Sequence, residues 1–216
     1  MSHDHAERPV IHYFQDTLCG WCYGFAPVVL QLQQEWSNHI DVVVYSGGMI
    51  TGDRVRALSE MADFIRDARL RVEETTGVSF GKAFLDGLLL REDILLDSEP
   101  PARALEAMRA LDDSATLRFS HRLQSALYRD GMDLSSEQTY CTLATEHNVD
   151  PNSFIALMNS SEIADAVADE FDYVSSLGIS GFPTLLLEMG DTVHVLSSGF
   201  APYEHLDTML RAVFDV

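Results

Sequence analysis

The tightest constraint in this chain is Cys19-Gly20-Trp21-Cys22, which stands where strand-like sequence gives way to helix-like sequence. Before it, Val10-Ile11-His12-Tyr13-Phe14 is short, β-branched and aromatic, and reads as a strand. After it, Phe25, Val28, Val29, Leu32 and Trp36 fall at helical spacing and predict a helix from about Gly20 to Ser37, kinked at Pro27. A continuous apolar run from Ile40 to Tyr45 then predicts a second strand, buried on both faces, which Ser46-Gly47-Gly48 ends. Strand, helix and strand at this spacing make a βαβ unit with parallel strands. The cysteine pair therefore lies at the N-terminus of the crossover helix.

From about Asp53 to Leu177 the pattern is helical. Val55, Leu58, Met61, Ala62, Ile65, Ala68 and Val72 fit one apolar face. Ser98-Glu99-Pro100-Pro101 reads as a helix start, because proline is tolerated in the first turn. Leu117 to Tyr128 predicts a further helix stopped near Gly131, and Ser135-Ser136-Glu137-Gln138 a capping box for the next. Asp150-Pro151 opens a short helix, and Ile163 to Leu177 marks the last. Strand character then returns: Thr184 to Leu187 and Val193 to Leu196 predict an antiparallel hairpin, and Pro202 to Phe214 a closing helix. The order is βαβ, a block of helices, then αββα.

Composition narrows the partners. The chain carries 34 acidic against 14 basic residues, a net charge of −20. Such a surface repels phosphate backbones and anionic lipid, so neither nucleic acid nor membrane is an expected partner. No basic-then-apolar leader opens the sequence and no apolar run reaches the ~18 residues of a membrane span. A cytoplasmic location is the expectation, and in that compartment three cysteines do not read as a disulfide scaffold.

Cysteines three residues apart at a helix start lie one turn from each other, within reach of a disulfide. The orphan N–H groups and partial positive charge of the helix N-terminus stabilise a thiolate at the first of them. Cys19 is accordingly expected to be exposed and to attack, and Cys22, one turn deeper, to resolve the mixed disulfide. Trp21 is expected to wall one side of the site. A zinc site is the rival reading, but Cys141 is the remaining cysteine and no H-x₃₋₅-H pair supplies further ligands. No metal is expected. Cys141 itself, and the acidic segment Asp165, Asp169, Glu170 and Asp172, read as core packing and a solvated helix face. His3 and His5 sit in a polar tail where metal capture is a weak idea. His121, His147, His194 and His205 have no sequence context that brings them together. Gly181-Phe182-Pro183-Thr184, a proline directly before a strand, suits a cis peptide bond. Alone it reads as an ordinary turn, and it gains weight beside a C-x-x-C helix.

Taken together, Cys19-Gly20-Trp21-Cys22 after a first strand, Pro27 five residues on, and Phe182-Pro183 before the hairpin resemble the thioredoxin superfamily. The 161 positions between Cys22 and Pro183, filled by helical pattern, resemble its DsbA-like branch. Ser46-Gly47-Gly48-Met49 and Ser98-Glu99-Pro100-Pro101-Ala102-Arg103-Ala104 look like the FrnE-like cytosolic group within it. The resemblance implies an α/β thioredoxin fold with a large inserted α-helical domain. Residues 1–51 and 178–216 would form the thioredoxin-like domain and 52–177 the insertion, its last helix a candidate member of the thioredoxin fold. It implies a protein disulfide oxidoreductase with Cys19 and Cys22 catalytic. Phe182 and the cis-proline Pro183 would sit beside them, the Phe182 backbone facing a bound substrate chain. The implied cofactor is none beyond the redox pair, with glutathione a candidate thiol partner and protein or small-molecule disulfides as substrates. Members with leader peptides usually carry histidine between the cysteines; Gly20-Trp21 and the missing leader point instead to reducing or reshuffling disulfides. The 2-hydroxychromene-2-carboxylate isomerases and kappa-class glutathione transferases share the layout but typically carry serine at the Cys19 position. A non-catalytic peptide-binding or chaperone module is the third reading.

Overall fold

The computed structural model describes residues 8–215; His3 and His5 lie outside them. The chain begins β1 (Val10–Gln15), α1 (Gly20–Glu35) and β2 (Asp41–Ser46). It then runs β3 (Arg56–Ala57), α2 (Ala62–Thr76), α3 (Lys82–Leu85), β4 (Leu95–Leu96), α4 (Glu99–Leu111), α5 (Thr116–Tyr128), α6 (Glu137–Glu146), α7 (Pro151–Met158) and α8 (Ser161–Ser176). It closes with β5 (Thr184–Met189), β6 (Thr192–Ser198) and α9 (Tyr203–Phe214). The main sheet has the order β2-β1-β5-β6, with β1 and β2 parallel and the other pairings antiparallel. This is the α/β fold class the sequence predicts.

The alternation of β1 decides what covers each face of the sheet. Ile11 and Tyr13, paired with Leu187 and Leu185, are fully buried, and Tyr13 meets Phe25 of α1 edge-on at 6.1 Å. Phe14, on the opposite face, stacks on Tyr45 at 4.9 Å, and Tyr45 meets Tyr173 of α8. One continuous buried cluster runs from these strands into the helical segment, taking in Phe84, Leu105, Phe119 and Phe154.

Several local expectations are corrected. β2 is not buried on both faces: it is the sheet edge, and Val43 is 37% exposed. An apolar run reads alike on an edge and in a centre, because position in the sheet is not a local property. The edge is instead covered at its C-terminal end. Arg109 donates to the Val44 carbonyl at 2.6 Å, and Glu170 accepts the Ser46 N–H at 2.7 Å. Glu170 is thus no solvated acid. Burial pushes its carboxyl up from the ordinary range although Arg109 lies 3.0 Å away.

The apolar face read from Val55 to Val72 also divides. Arg56–Ala57 pairs with Leu95–Leu96, a 3₁₀ turn spans Leu58–Met61, and α2 begins only at Ala62. A 3₁₀ turn has its own three-residue repeat, which mimics the start of a helical stripe. The capping box at Ser135–Gln138 does not form, because Ser136 makes no side-chain cap bond. Asp133 collects Ser135 instead, accepting from its N–H at 2.8 Å and its hydroxyl at 2.6 Å. The expected helix start at Asp150 is capped by that residue, which accepts the Ser153 N–H, and the structure adds a cap at Ser160, which accepts the Ile163 N–H. Cys141 is half-buried on α6 rather than part of the core.

Candidate active site

The site forms where β1 ends and α1 begins. Cys19 is the N-cap of α1, with extended backbone, and its sulfur accepts the Cys22 N–H at 3.3 Å. A cap must offer an acceptor to the first turn, and here a sulfur does so. The Cys19 thiol in turn points at the carbonyl of Phe182, 3.4 Å away across the sheet. Phe182-Pro183 is a cis peptide bond, and Pro183 is buried. The loop that carries it is held from the other side: a Cβ at Gly47 would stand 1.9 Å from the tip of the Phe182 ring, so the ring occupies space that only a residue with no side chain leaves open. The structure thus brings Cys19, Cys22, Phe182 and Pro183 together, and Trp21 joins Phe182 on the wall of the adjoining cavity.

Both cysteines are free thiols. The expectation that Cys19 is exposed is corrected: it is 7% exposed, because the Phe182 loop and the helical segment close over it. It is nevertheless reachable, since it lines that open cavity. Cys22 is fully buried, and burial, with the nearby Cys19 and Asp16, pushes its thiol well above the ordinary value. The difference matters chemically. An attacking sulfur needs access, whereas a resolving sulfur needs only to reach its neighbour.

Asp16 is the residue the sequence reading passed over. It is 1% exposed, and its carboxylate accepts from the N–H groups of Leu18 (2.9 Å) and Met49 (2.7 Å) and from the Ser98 hydroxyl (3.0 Å). Ser98 also accepts the Ile50 N–H at 3.0 Å and donates its own N–H to the Ile50 carbonyl. Two motifs far apart in the chain, Ser46–Met49 and Ser98–Pro101, therefore meet on one buried carboxyl beside the cysteines. Burial raises that carboxyl above its ordinary value, with the three hydrogen bonds and Arg54 opposing. The available signal was one acid between an apolar strand and the cysteine motif.

Tyr128 closes the floor, donating to the Leu18 carbonyl at 2.5 Å. Behind it, the Gln124 side-chain amide donates to Oε1 of Gln15 at 2.8 Å. His12 is turned away from the cysteines: its ring nitrogens meet Glu188 at 2.8 Å and Tyr45 at 3.2 Å. No group of three or more His, Cys, Asp or Glu that could hold a metal occurs among the described residues. No helix among them is long and apolar enough to cross a membrane.

Residues 10–211 match the model of the DSBA-like thioredoxin domain. The crystal structure of a candidate protein disulfide isomerase from Nitrosomonas europaea is 29% identical, covering 97% of this chain and 98% of that one at a TM-score of 0.84. The cytosolic disulfide reductase DsbM from Pseudomonas aeruginosa is 29% identical over 96% of this chain and all of its own, at a TM-score of 0.81, and has also been solved with GSH. Among curated relatives, the ClpXP adapter protein SpxH of Halalkalibacterium halodurans is 22% identical over 89% of this chain. The match covers 63% of that relative's length.

Proposed function

The chain belongs to the DSBA-like thioredoxin domain family, and from that premise we propose that it is a disulfide reductase or isomerase working through Cys19 and Cys22 in the cytosol. The observation that carries the reading is the setting of the Cys19 sulfur. It is held between the Cys22 N–H and the Phe182 carbonyl, with its open side on a cavity. The likeness to DsbM, named as a cytosolic disulfide reductase, supports the direction and the compartment, as does Gly20-Trp21 where histidine would favour oxidation.

The Cys19 thiolate attacks one sulfur of a substrate disulfide; a Cys19–substrate disulfide forms, and the other substrate sulfur leaves and takes a proton. The Cys22 thiol loses its proton and attacks the Cys19 sulfur. A Cys19–Cys22 disulfide forms and the second substrate thiol is released. Two electrons have passed from the pair to the substrate, and an external thiol, glutathione or a dithiol, returns them. Cys22 holds its proton tightly while buried, so resolution needs an acceptor. Asp16 is the buried acid beside it whose carboxyl is held above the ordinary range.

The reading is tested by trapping. Cys22→Ser is expected to accumulate a mixed disulfide through Cys19, visible as a mass adduct that dithiothreitol removes. Cys19→Ser is expected to form none and to lose reductase activity by at least about a thousandfold. Undiminished reduction of insulin or glutathione disulfide by Cys19→Ser would sink the proposal and favour a peptide-binding module.

A further inference from the structure

The cavity onto which Cys19 opens, about 300 Å³ in volume, has one charged side chain on its lining among the described residues, Arg69 of α2. Its guanidinium is held at one end only. Nη1 donates to Glu73 at 2.6 Å. Nε is buried with no acceptor, the single buried guanidinium nitrogen so left among the described residues, and Nη2 has no partner among them either. Arg122 shows the contrast at similar exposure, 19% against 25%. Its Nε and Nη2 donate to Glu146 and its Nη1 to Asp130. Glu73 cannot make good the deficit of Arg69, because its second oxygen already accepts the Phe80 N–H at 2.8 Å. The Nε–Nη2 edge is therefore a planar pair of uncommitted donors on the reacting cavity, and a buried donor without an acceptor is costly.

We infer that, on the reading above, Arg69 determines specificity: its free edge anchors a carboxylate of a small disulfide substrate while Cys19 attacks the sulfur. The chemistry of the edge selects the class. Two parallel N–H groups fit the two oxygens of one carboxylate. A phosphate dianion would bring a second charge that nothing else on the lining meets, and a neutral disulfide would leave the edge unpaired. The apolar remainder of the lining receives the carbons between carboxylate and sulfur. A volume of about 300 Å³ is that of a small-molecule pocket. Nη2 makes the first contact, since Nε is the nitrogen closed to solvent; settling of the carboxylate on the edge then gives Nε its acceptor. The chain as a whole repels anions, at a net charge of −20, so a carboxylate that reacts faster than its neutral counterpart has to be held by a particular cation. In the exchange the Cys19–substrate bond forms, the substrate S–S bond breaks and the leaving sulfur takes a proton. Cys22 then closes on Cys19 and releases the anchored thiol.

The test uses fully reduced protein and a single turnover, so no external reductant enters, with thiol release followed by mass spectrometry. Dithiodipropionate is paired with 2-hydroxyethyl disulfide, and glutathione disulfide with its glycine diethyl ester. Each rate is divided by that compound's uncatalysed exchange with dithiothreitol. In at least one pair the free carboxylate is expected to react about tenfold faster than its neutral or capped partner. Ratios near one in both pairs overturn the inference on the native protein alone and leave the thiol chemistry standing. Arg69→Gln is expected to bring the ratio below about twofold. Arg69→Lys, which keeps the charge and loses the fork, is expected to fall between the two. A tenfold ratio kept by Arg69→Gln overturns the assignment to Arg69, and one kept in full by Arg69→Lys overturns anchoring by paired donors. A peptide disulfide with glutamate beside the cysteine that outruns both small carboxylates overturns the small-substrate class. No reaction with any of these disulfides overturns the underlying functional reading.

Discussion

The two sides of the Cys19 sulfur are built on opposite principles. On the sheet side, polar groups are buried and almost all committed: Asp16 to three donors, Ser98 to Asp16 and Ile50, Tyr128 to Leu18. On the α2 side, apolar groups are half-exposed and committed to little: Met61, Phe64, Ile65 and Ala68 face a cavity. A buried hydrogen bond is directional and costly to lose, so it holds an atom in place. Apolar contact is non-directional and tolerates many shapes. The first side suits reacting atoms that must not move, and the second suits partners that differ from one another.

That contrast can be broken from either side, and the sheet side should answer more strongly. Ser98→Ala removes one donor to Asp16 and the acceptor of the Ile50 N–H. It is expected to cost about 1–3 kcal/mol, read as a lower urea midpoint with an unchanged denaturant slope. A loss below about 0.3 kcal/mol would mean that the junction of the two motifs is not a fixed point.

Asp16→Asn sharpens the electrostatic half of the comparison. The folded-state value of Asp16 is raised above the ordinary 3.8, chiefly by burial, so its contribution is most favourable below that value and is lost as pH rises towards the raised one. Stability of the native protein relative to Asp16→Asn should therefore fall by about 1.4 kcal/mol per pH unit over that interval and then level off. Parallel stability–pH curves for the two proteins would show that Asp16 titrates normally.

The smallest effect is expected on the α2 side. Phe64→Ser alters a side chain that is 65% exposed, and it should change stability by no more than about 0.5 kcal/mol, measured by denaturant unfolding. A loss of 2 kcal/mol or more would place Phe64 in the packed structure and remove the asymmetry.

The strand–helix junction at Cys19 was legible because the period of apolar residues changes from two to 3.6 there, and because proline, glycine and β-branched residues act locally. The helix start at Asp150-Pro151 was legible for the same reason. The edge position of β2, the failure of the Ser135–Gln138 box and the burial of Glu170 were not, since each depends on a partner distant in the chain. Asp16 is the clearest case: its partner Ser98 is 82 positions away.

By itself, then, the sequence determined the fold class, the presence of a C-x-x-C pair at a helix start and the closeness of Phe182-Pro183 to it through a known family pattern. Each follows from local periodicity or from a motif. Only the tertiary structure decided that Cys19 is recessed rather than exposed, that a buried carboxyl ties the two weaker motifs together, and that the stripe on α2 lines a cavity instead of filling a core. Those outcomes depend on which surfaces meet. An apolar stripe specifies that a helix face will leave water, but not whether protein or substrate will cover it.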